Sequence, residues 1–332
     1  MKKILFLCCL LSLIACSKEE STPPPPTKYN VSIALNPIDG GTVSPDAGQF
    51  NEGQTVSFIV TPSENYIFKN WSGSDTSSNN PLSLTITSNI TLTVNFEKKD
   101  TDGDGVTDDL DQCPDTPEGQ VVDNNGCSIL LYLDPNGVTI KSYEWAEVGD
   151  TATVNNITYT VVSEEQLREI IENGDEVSNV CTSKITNMSG LFTQSQFNGD
   201  ISSWDVSNVT NMDGIFARTP FNGDISSWDV GNVTIMRAMF FESLFDRDIS
   251  GWDVSSVTDM ISMFNGSPFN QDISIWNVSN VTDMTGMFYE SQLFNQDLSG
   301  WDVTNVINCS YFSLYTPDWT LPKPNFTNCD PN

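Results

Sequence analysis

The residues best able to do chemistry are the acidic side chains between Asp100 and Cys127, a segment that reads DTDGDGVTDDLDQCPDTPEGQVVDNNGC. Its candidate oxygen ligands are Asp100, Asp102, Asp104, the main-chain carbonyl of Val106, Asp108 and Asp111. They occupy positions 1, 3, 5, 7, 9 and 12 of a loop, which is the ligand spacing of a calcium loop, and Gly105 stands where such a loop turns sharply. Without a cation these carboxylates would repel one another. The pattern predicts a calcium site, and a solvated acidic linker is the alternative.

The loop differs from an EF-hand, because position 12 is Asp in place of Glu and no amphipathic helix flanks it. The whole segment instead resembles the thrombospondin type-3 repeat, in the form that links domains of outer-membrane proteins. Asp-Gln-Cys-Pro at 111–114 and Asn-Gly-Cys at 125–127 carry this resemblance. It implies calcium as a cofactor and a calcium repeat over residues 100–127. In an oxidising compartment it also implies a disulfide between Cys113 and Cys127.

Two columns of acidic residues recur in the C-terminal half of the chain. The fourth-position column contains Asp200, Asp224, Asp248, Asp272 and Asp297, and the ninth-position column contains Asp205, Asp229, Asp253, Asn277 and Asp302. Like charges stacked ~4.8 Å apart repel, so each column needs either backbone N–H donors in turns or a bound cation or basic ligand. A column present in every repeat is better explained by architecture. The ninth-position column, beside a strand on an open face, is the candidate partner surface.

A repeat of 24 residues positions these columns, and its first copy reads FNGDISSWDVSNVTNMDGIFARTP. Five copies begin at Phe197, Phe221, Phe245, Phe269 and Phe294. Apolar residues occupy positions 1, 5, 8, 10, 13, 16, 19 and 20 of a copy. Trp and Val two apart suit a strand, and spacings of three and four suit a helix. The pattern predicts a C-terminal leucine-rich-like α/β solenoid of about five 24-residue coils, each made of strand, turn, short helix and turn.

The full repeat, with WDVSNVT and a Met-Phe ending, resembles the BspA-type leucine-rich-like repeat of bacterial surface lipoproteins over about residues 131–312. Members of that family are associated with adhesion to host or matrix proteins and to other cells. We expect an N-terminal cap over 128–184, repeats over 185–316 and a tail over 317–332. The fifth copy drifts from the pattern, and its Cys309 is a candidate for a disulfide with Cys329 that holds the tail.

Residues 28–99 alternate between apolar and polar side chains in stretches separated by Gly, Pro and Asn turns, which predicts a small β-rich module. The string GGTVSPDAGQFNEGQTVSFIVTPSENYIFKNWSGS closely resembles the divergent InlB B-repeat, which implies a stalk or a weak protein-binding unit. Tyr66, Phe68 and Trp71 could form a glycan platform. The resemblance places them in the hydrophobic core instead.

The first sixteen residues, MKKILFLCCLLSLIAC, have the two lysines, apolar run and small-residue end of a signal peptide. Residues 13–16 resemble the lipobox of bacterial lipoproteins, which implies cleavage before Cys16 and lipidation of that cysteine. An ordinary signal peptide is the alternative. Residues 17–20 resemble a short tag that directs some Gram-negative lipoproteins to the outer face of the outer membrane. After a Pro-rich tether over 17–27, we expect a chain anchored to the cell outer membrane by lipid alone and facing the exterior.

Composition limits the function, since the chain has 14 Lys and Arg, 44 Asp and Glu, no His and a net charge of −30. This charge disfavours nucleic acid and favours cations or basic partners. Without histidine the chain lacks the commonest general base, so we expect no enzyme. The sequence indicates an adhesion or protein-binding surface lipoprotein with a calcium-stabilised interdomain segment. Its expected partner is a host, matrix or cell-surface protein, and a glycan-binding surface lipoprotein of a nutrient-uptake system is the alternative.

Overall fold

The computed structural model describes residues 24–332. They form two compact units. The N-terminal unit contains the described residues up to Glu118 together with Asn124–Gly126, and the repeat unit contains Gly119–Asp123 and Cys127–Asn332. The predicted signal peptide, the lipidated Cys16 and most of the Pro-rich tether lie outside the described residues. Between residues 24 and 332, no helix has the length and apolar character needed to cross a membrane.

The N-terminal unit is built from two β-sheets. Its strands are β1 (Lys28–Asn36), β2 (Gly41–Ser44), β3 (Gly48–Asn51), β4 (Thr55–Pro62), β5 (Tyr66–Gly73), β6 (Leu82–Thr85) and β7 (Ile90–Lys98). One sheet has the order β3-β1-β7-β5, in which β1 and β7 run parallel and the other pairs run antiparallel. The other sheet is antiparallel, with the order β2-β4-β6. The unit is therefore the small β-rich module that the alternating pattern predicts.

Alternation of apolar and polar residues places one face of each strand in a single core. On β4 the buried residues are Val56, Phe58 and Val60. Trp71 on β5 is 1% exposed, and its indole N–H donates to a main-chain carbonyl at 3.0 Å. Tyr66 and Phe68 are half-buried and pack against the same core. These aromatic residues serve the core of the module rather than a glycan platform.

The repeat unit opens with short strands and one helix. They are β8 (Leu131–Leu133), β9 (Ile140–Ser142), β10 (Thr151–Val154), β11 (Ile157–Val161), α1 (Glu164–Asn173) and β12 (Val180–Cys181). Strands β8 and β9 pair with each other, and β10, β11 and β12 form a separate sheet. Ser163 and Gln166 form a capping box at the start of α1, and the left-handed Gly174 ends it. Leu167 buries the helix against the apolar cluster that continues through the repeats.

The predicted α/β solenoid is wrong. After Cys181 the described residues contain no helix and no strand, and α1 is the only helix between residues 24 and 332. The chain is β-rich, with several separate sheets, and the repeat copies consist of turns. Isolated parallel bridges join position 15 of successive copies, at Asn187–Asn211, Asn211–Ile235, Ile235–Asp259, Asp259–Asp283 and Asp283–Asn308. The copies are thus held in register without an extended strand or a helical return.

Left-handed residues explain why the apolar spacing of a helix produces turns in these copies. In the second copy, Ala238 at position 18 and Glu242 at position 22 have φ values of 49° and 48°. A right-handed helix does not accommodate such residues. Their N–H groups donate across to the third copy, from Ala238 to the carbonyl of Ile261 at 2.7 Å and from Glu242 to the carbonyl of Asn265 at 2.8 Å. Bonds that a helix would make within itself are made here between copies.

The apolar positions predicted from the repeat lie in the core, apart from Phe197 at position 1 of the first copy, which is half-buried and packs against it. In the second copy they are Phe221, Ile225, Trp228, Val230, Val233, Met236, Met239 and Phe240, none more than 3% exposed. Equivalent rings stack from copy to copy, with centroids 5.8 Å apart for Phe216 and Phe240. The indole N–H of Trp252 donates to the carbonyl of Ile225 in the preceding copy at 3.2 Å. Each copy is therefore covered by its neighbours, as nearest-neighbour stacking requires.

Candidate metal centre and acidic columns

Three of the predicted calcium ligands come together in the N-terminal unit. The carboxylates of Asp100, Asp102 and Asp104 are partly buried, and one oxygen from each lies within 4.8 Å of the others. This cluster follows directly from β7, because the N–H of Asp108 donates to the carbonyl of Lys99 at 2.9 Å and fixes the exit of the chain from the strand. The loop therefore returns to the end of β7 and brings its first three acidic residues to one place.

Main-chain donors orient these carboxylates. Asp100 accepts hydrogen bonds from Gly103 N at 2.9 Å and from Gly105 N at 3.1 Å. Asp104 accepts one from Val106 N at 2.7 Å through Oδ1. A carboxylate oxygen has more than one lone pair, so these bonds leave acceptor capacity for a cation. The arrangement suits a hard divalent ion, which prefers oxygen ligands.

One oxygen of the cluster is buried and has no hydrogen-bond partner, namely Asp104 Oδ2. A buried acceptor without a partner is costly, and for a carboxylate the usual remedy is a positive charge. Gly126 lies directly beside it. A Cβ at Gly126 would overlap Asp111 Oδ1 and lie 3.0 Å from Asp104 Oδ2, so Asp104 and Asp111 both border this glycine. Asp111 is therefore next to the cluster, at the side where Asp104 lacks a partner.

Asp108, the predicted ligand at position nine, is engaged elsewhere. Its carboxylate accepts hydrogen bonds from Thr101 N and Thr101 Oγ1, both at 2.7 Å, and lies 3.1 Å from Lys99 Nζ. The hydroxyl of Thr101 is the main cause that lowers the pKa of Asp108, with the Lys99 ammonium adding to it. The neighbouring Asp109 pairs with Lys98 Nζ at 2.6 Å. Two lysines at the end of β7 thus hold the second acidic pair of the loop against the sheet.

The cysteines of the described residues are mostly oxidised. Cys113 and Cys127 are both disulfide-bonded, and Cys113 N donates to Asp111 Oδ1 at 2.7 Å. Cys309 and Cys329 are bonded to each other, with an S–S distance of 2.02 Å, and tie the tail to the last copy. Cys181 is a buried thiol, and burial raises its pKa.

Backbone donors satisfy the fourth-position column of acidic residues. Each Asp accepts a hydrogen bond from the N–H of the serine two residues later, for example Ser226 N to Asp224 Oδ1 at 3.0 Å and Ser250 N to Asp248 Oδ1 at 2.9 Å. These N–H donors, together with the serine hydroxyls, lower the pKa of both carboxyl groups. The turns of the repeat account for this column without a cation.

The ninth-position column, the predicted partner surface, is not one continuous exposed row. Asp205 is 4% exposed and accepts hydrogen bonds from the hydroxyls of Ser183 and Ser207, both at 2.6 Å. The remaining members, Asp229, Asp253, Asn277 and Asp302, are exposed. Each of these accepts a hydrogen bond from the N–H two residues later. The exposed row therefore begins in the second copy, because Asp205 is buried and bonded to Ser183, which follows β12.

Comparison with known proteins gives two family matches. Residues 155–244 and 221–317 match the family described as "Mycoplasma protein of unknown function, DUF285", and residues 31–100 match the "Divergent InlB B-repeat domain". These matches support a bacterial surface repeat protein. An α-agarase of Alteromonas agarilytica is 55% identical to this surface repeat protein over 38 residues, which are 11% of this chain and only 3% of that relative. No solved structure matches the chain.

Sequence reasoning missed several residues that shape the candidate sites of this surface repeat protein. Lys98 and Lys99 end a strand and gave no sign that they would hold Asp108 and Asp109. Gly126 was noted only for the pattern around Cys127, although it borders the cluster. Three tyrosines that line a cleft on the repeats were also missed, namely Tyr289 in the fourth copy and Tyr311 and Tyr315 in the fifth. Residues that depart from a repeat are the signal that would have found them.

Proposed function

We propose that this surface repeat protein is an adhesion lipoprotein that binds a host, matrix or cell-surface protein and does no chemistry of its own. The observation that supports it is the stack of repeat copies, which presents equivalent side chains at regular intervals on a long surface. Such a surface suits recognition of an extended partner, whereas catalysis needs groups that converge in a cleft. The net charge of −30 favours a partner with a basic surface.

The partner contact is proposed on the exposed part of the ninth-position column, at Asp229, Asp253, Asn277 and Asp302. Hydrogen bonds from backbone N–H groups fix the three carboxylates and the Asn277 amide in place, so these side chains meet a partner without losing much rotamer freedom. Charged groups at such a surface act mainly on association rate and selectivity.

The test is binding of the soluble chain from Ser17 to immobilised fibronectin, laminin and collagen at two salt concentrations. The variant with Asp229→Asn, Asp253→Asn and Asp302→Asn is expected to weaken binding about tenfold, which is ~1.4 kcal/mol. A matched variant with Asp224→Asn, Asp248→Asn and Asp272→Asn removes the same charge from the fourth-position column and should change binding little. Equal losses in the two variants would contradict the ninth-position surface, and no binding to any of these proteins would contradict adhesion to matrix.

We infer further that the acidic loop of the N-terminal unit holds calcium. The residues present fit the ion, because Asp100, Asp102 and Asp104 supply clustered oxygens and Asp104 Oδ2 is buried without a partner. Asp111 borders the same place, and the carbonyl of Val106 is proposed as a further ligand. Bound calcium would neutralise the clustered carboxylates and cross-link the loop. Asp108, held by Thr101 and Lys99, would support the loop from outside the cluster.

Calcium titration of the chain from Ser17, by calorimetry and thermal melting, tests this site. At a free concentration 100 times the Kd, binding is expected to stabilise the N-terminal unit by ~2.7 kcal/mol. Asp102→Ala with Asp104→Ala should abolish the heat of binding and the stabilisation. Asp115→Asn, an exposed charge change in the same loop, should leave both intact. Binding that persists unchanged in the double variant would sink the assignment.

Anchoring of the chain through lipid on Cys16, at the outer membrane and facing the exterior, is part of the same proposal. It is supported by the lipobox resemblance of residues 13–16. Mass spectrometry of Cys16 in detergent-extracted protein, and release of a Cys16→Ser variant from the membrane fraction, would test it. An unmodified cysteine in membrane-bound protein would contradict it.

Glycan binding is a second candidate function, and one observation favours it. Three tyrosines line a cleft on the last repeat copies, where the repeat pattern itself calls for none.

A further inference from the structure

A cleft of 470 Å³ opens on the surface of the third to fifth repeat copies. Its lining includes Tyr289, Tyr311, Tyr315, Ser262, Asn265 and Gly286. A volume of this size lies within the range of sites that hold small ligands, roughly 300–1,000 Å³. The cleft belongs entirely to the repeat unit and is remote in sequence from the acidic loop.

Aromatic rings form one wall of the cleft at steep angles to one another. The ring centroid of Tyr289 is 6.4 Å from that of Tyr311 and 5.5 Å from that of Tyr315, with interplanar angles of 80° in both pairs. Tyr311 is 53% exposed and Tyr315 is 61% exposed. Large aromatic surface left this open is available to a ligand and adds little to the core.

These tyrosines are departures from the repeat. By the hydrogen bonds between copies, Tyr311 takes the place of Gly286 and Tyr315 the place of Glu290. Both tyrosines are left-handed, with φ values of 61° and 63°. Bulky residues rarely adopt this conformation, and glycine would fill the position without strain. The fold alone therefore does not explain why tyrosine stands at either position.

The rest of the lining is uncharged and, apart from Gly286 and the apolar Leu314, polar. Ser262 and Thr285 offer hydroxyls, Asn265 offers an amide, and no residue of the lining carries a charge. Hydroxyl and amide groups both donate and accept hydrogen bonds, as sugar hydroxyls do. The strongly negative chain disfavours an anionic ligand at this surface. Aromatic faces, which are electron-rich, attract the weakly positive C–H groups of a pyranose ring.

We propose that this tyrosine cleft binds a neutral oligosaccharide, with sugar rings against Tyr311 and Tyr315 and sugar hydroxyls bonded to Ser262 and Asn265. The inference rests on the second candidate function, glycan binding, and gives it a site. It is independent of the calcium loop and of the ninth-position column.

Calorimetry of the chain from Ser17 with cellotetraose, maltotetraose, laminaritetraose, xylotetraose and mannotetraose tests the cleft, with trigalacturonate as an anionic comparison. At least one neutral sugar is expected to bind, and at least tenfold more tightly than trigalacturonate. Tyr311→Gly with Tyr315→Ala should weaken that binding tenfold or more. Glycine at position 311 relieves the left-handed strain, so this variant is expected to fold. Leu293→Ala, an exposed apolar change outside the cleft lining, should leave binding unchanged.

Each other outcome overturns the proposal in a distinguishable way. Sugar binding that persists in the tyrosine variant would show that the cleft is not the binding site, while glycan binding itself would still hold. If none of the neutral sugars binds, both the cleft as a sugar site and glycan binding as a function are wrong. If sedimentation shows self-association that the tyrosine variant abolishes, and no sugar binds, the cleft is a contact between copies of this chain.

Discussion

The two units of this chain satisfy the hydrogen-bonding groups of their backbones in different ways. In the N-terminal unit, strands β1 and β7 are each nine residues long, pair with each other over six residues and form part of a regular sheet. In the repeat copies, the left-handed residues of the turns donate their N–H groups to carbonyls of the next copy. Strand pairing is limited there to isolated bridges. Both units nevertheless gather their apolar positions into a core, with a few such as Ile59 and Leu244 left exposed. A regular sequence period thus determines which side chains meet, while the backbone that brings them together depends on the handedness of a few residues.

The largest expected difference between the two units is in how far the loss of a core tryptophan loosens each of them. Trp71→Ala in the N-terminal unit and Trp252→Ala in the repeats should each cost ~3–5 kcal/mol. Hydrogen exchange read by mass spectrometry is expected to rise throughout both sheets in Trp71→Ala. In Trp252→Ala it should rise most in the copies on either side and fall off toward α1, because repeats interact mainly with neighbours. A uniform rise through all copies would contradict nearest-neighbour stacking.

Handedness in the turns can be tested at position 18, which has no counterpart in the N-terminal sheets. Gly214 has a φ of 61°, and a Cβ there would make only ordinary contacts, so Gly214→Ala isolates the backbone term. It is expected to destabilise the repeat unit by ~1–2 kcal/mol. The reverse change, Ala238→Gly, should be neutral or stabilising, because Ala238 is already left-handed. Urea unfolding of the two variants gives both values. Destabilisation by Ala238→Gly together with no loss of stability in Gly214→Ala would refute the role of handedness.

An asparagine at position 12 links four of the five copies to the segment that precedes them, and its loss is expected to have a smaller effect. Asn280 Nδ2 donates to the carbonyl of Ser255 at 2.7 Å, and Asn232 Nδ2 to the carbonyl of Ser207 at 2.7 Å. The third copy has Ser256 there instead. Asn280→Ala should therefore cost ~0.5–1.5 kcal/mol, and Ser256→Asn should stabilise by a similar amount. Thermal melting of both variants is the check. Destabilisation by Ser256→Asn would show that the third copy cannot form the bond.

The smallest expected effect is the loss of stability when acid protonates the aspartates of the fourth-position column. Serine N–H and hydroxyl donors lower the pKa of Asp224 and Asp272 in the folded chain. Their contribution to stability is therefore present above the unfolded pKa, ~3.9, and is lost as the pH falls through the lower folded value. Ser226→Ala removes one donor and should raise the pKa of Asp224 while leaving that of Asp272 unchanged. Side-chain NMR titration reports both, and an unchanged Asp224 would contradict the assignment.

Much of the repeat unit was predictable, and the part that was not has a physical reason. The period and the apolar positions give the core, as Phe221 and Trp228 show. Spacings of three and four, however, are compatible both with a helix and with successive turns that return every few residues. The distinguishing signal was the glycine at position 18 in several copies, for example Gly214, which suits a left-handed residue. Ala238 and Glu242 are also left-handed although neither is glycine, so glycine positions alone reveal only some of the left-handed residues.

The part of the acidic loop that could be predicted is the part in which close sequence spacing alone brings the ligands together. Asp100, Asp102 and Asp104 cluster because they lie within one tight loop. Asp108 departs from the cluster because Lys99 and Thr101, brought close by the end of β7, compete for its carboxylate. That competition depends on the path of the chain after the strand, which ligand spacing does not contain.

Most backbone hydrogen bonds between copies point from one copy to the next, although position 14 donates back, as from Thr234 N to the carbonyl of Thr210 at 2.9 Å. The excess in one direction gives the repeats an electrical polarity. From Gly190 to Glu290, the left-handed residues of each copy point their N–H groups toward the next copy and receive none from it. Peptide dipoles in series add, leaving partial negative charge at the first copy and partial positive charge at the last. Arg168 already meets the negative pole, donating to the carbonyl of Ser189 at 3.0 Å. The last copy, which supplies Tyr311 and Tyr315, therefore carries a partial positive charge that is small beside the net charge of −30 of the whole chain.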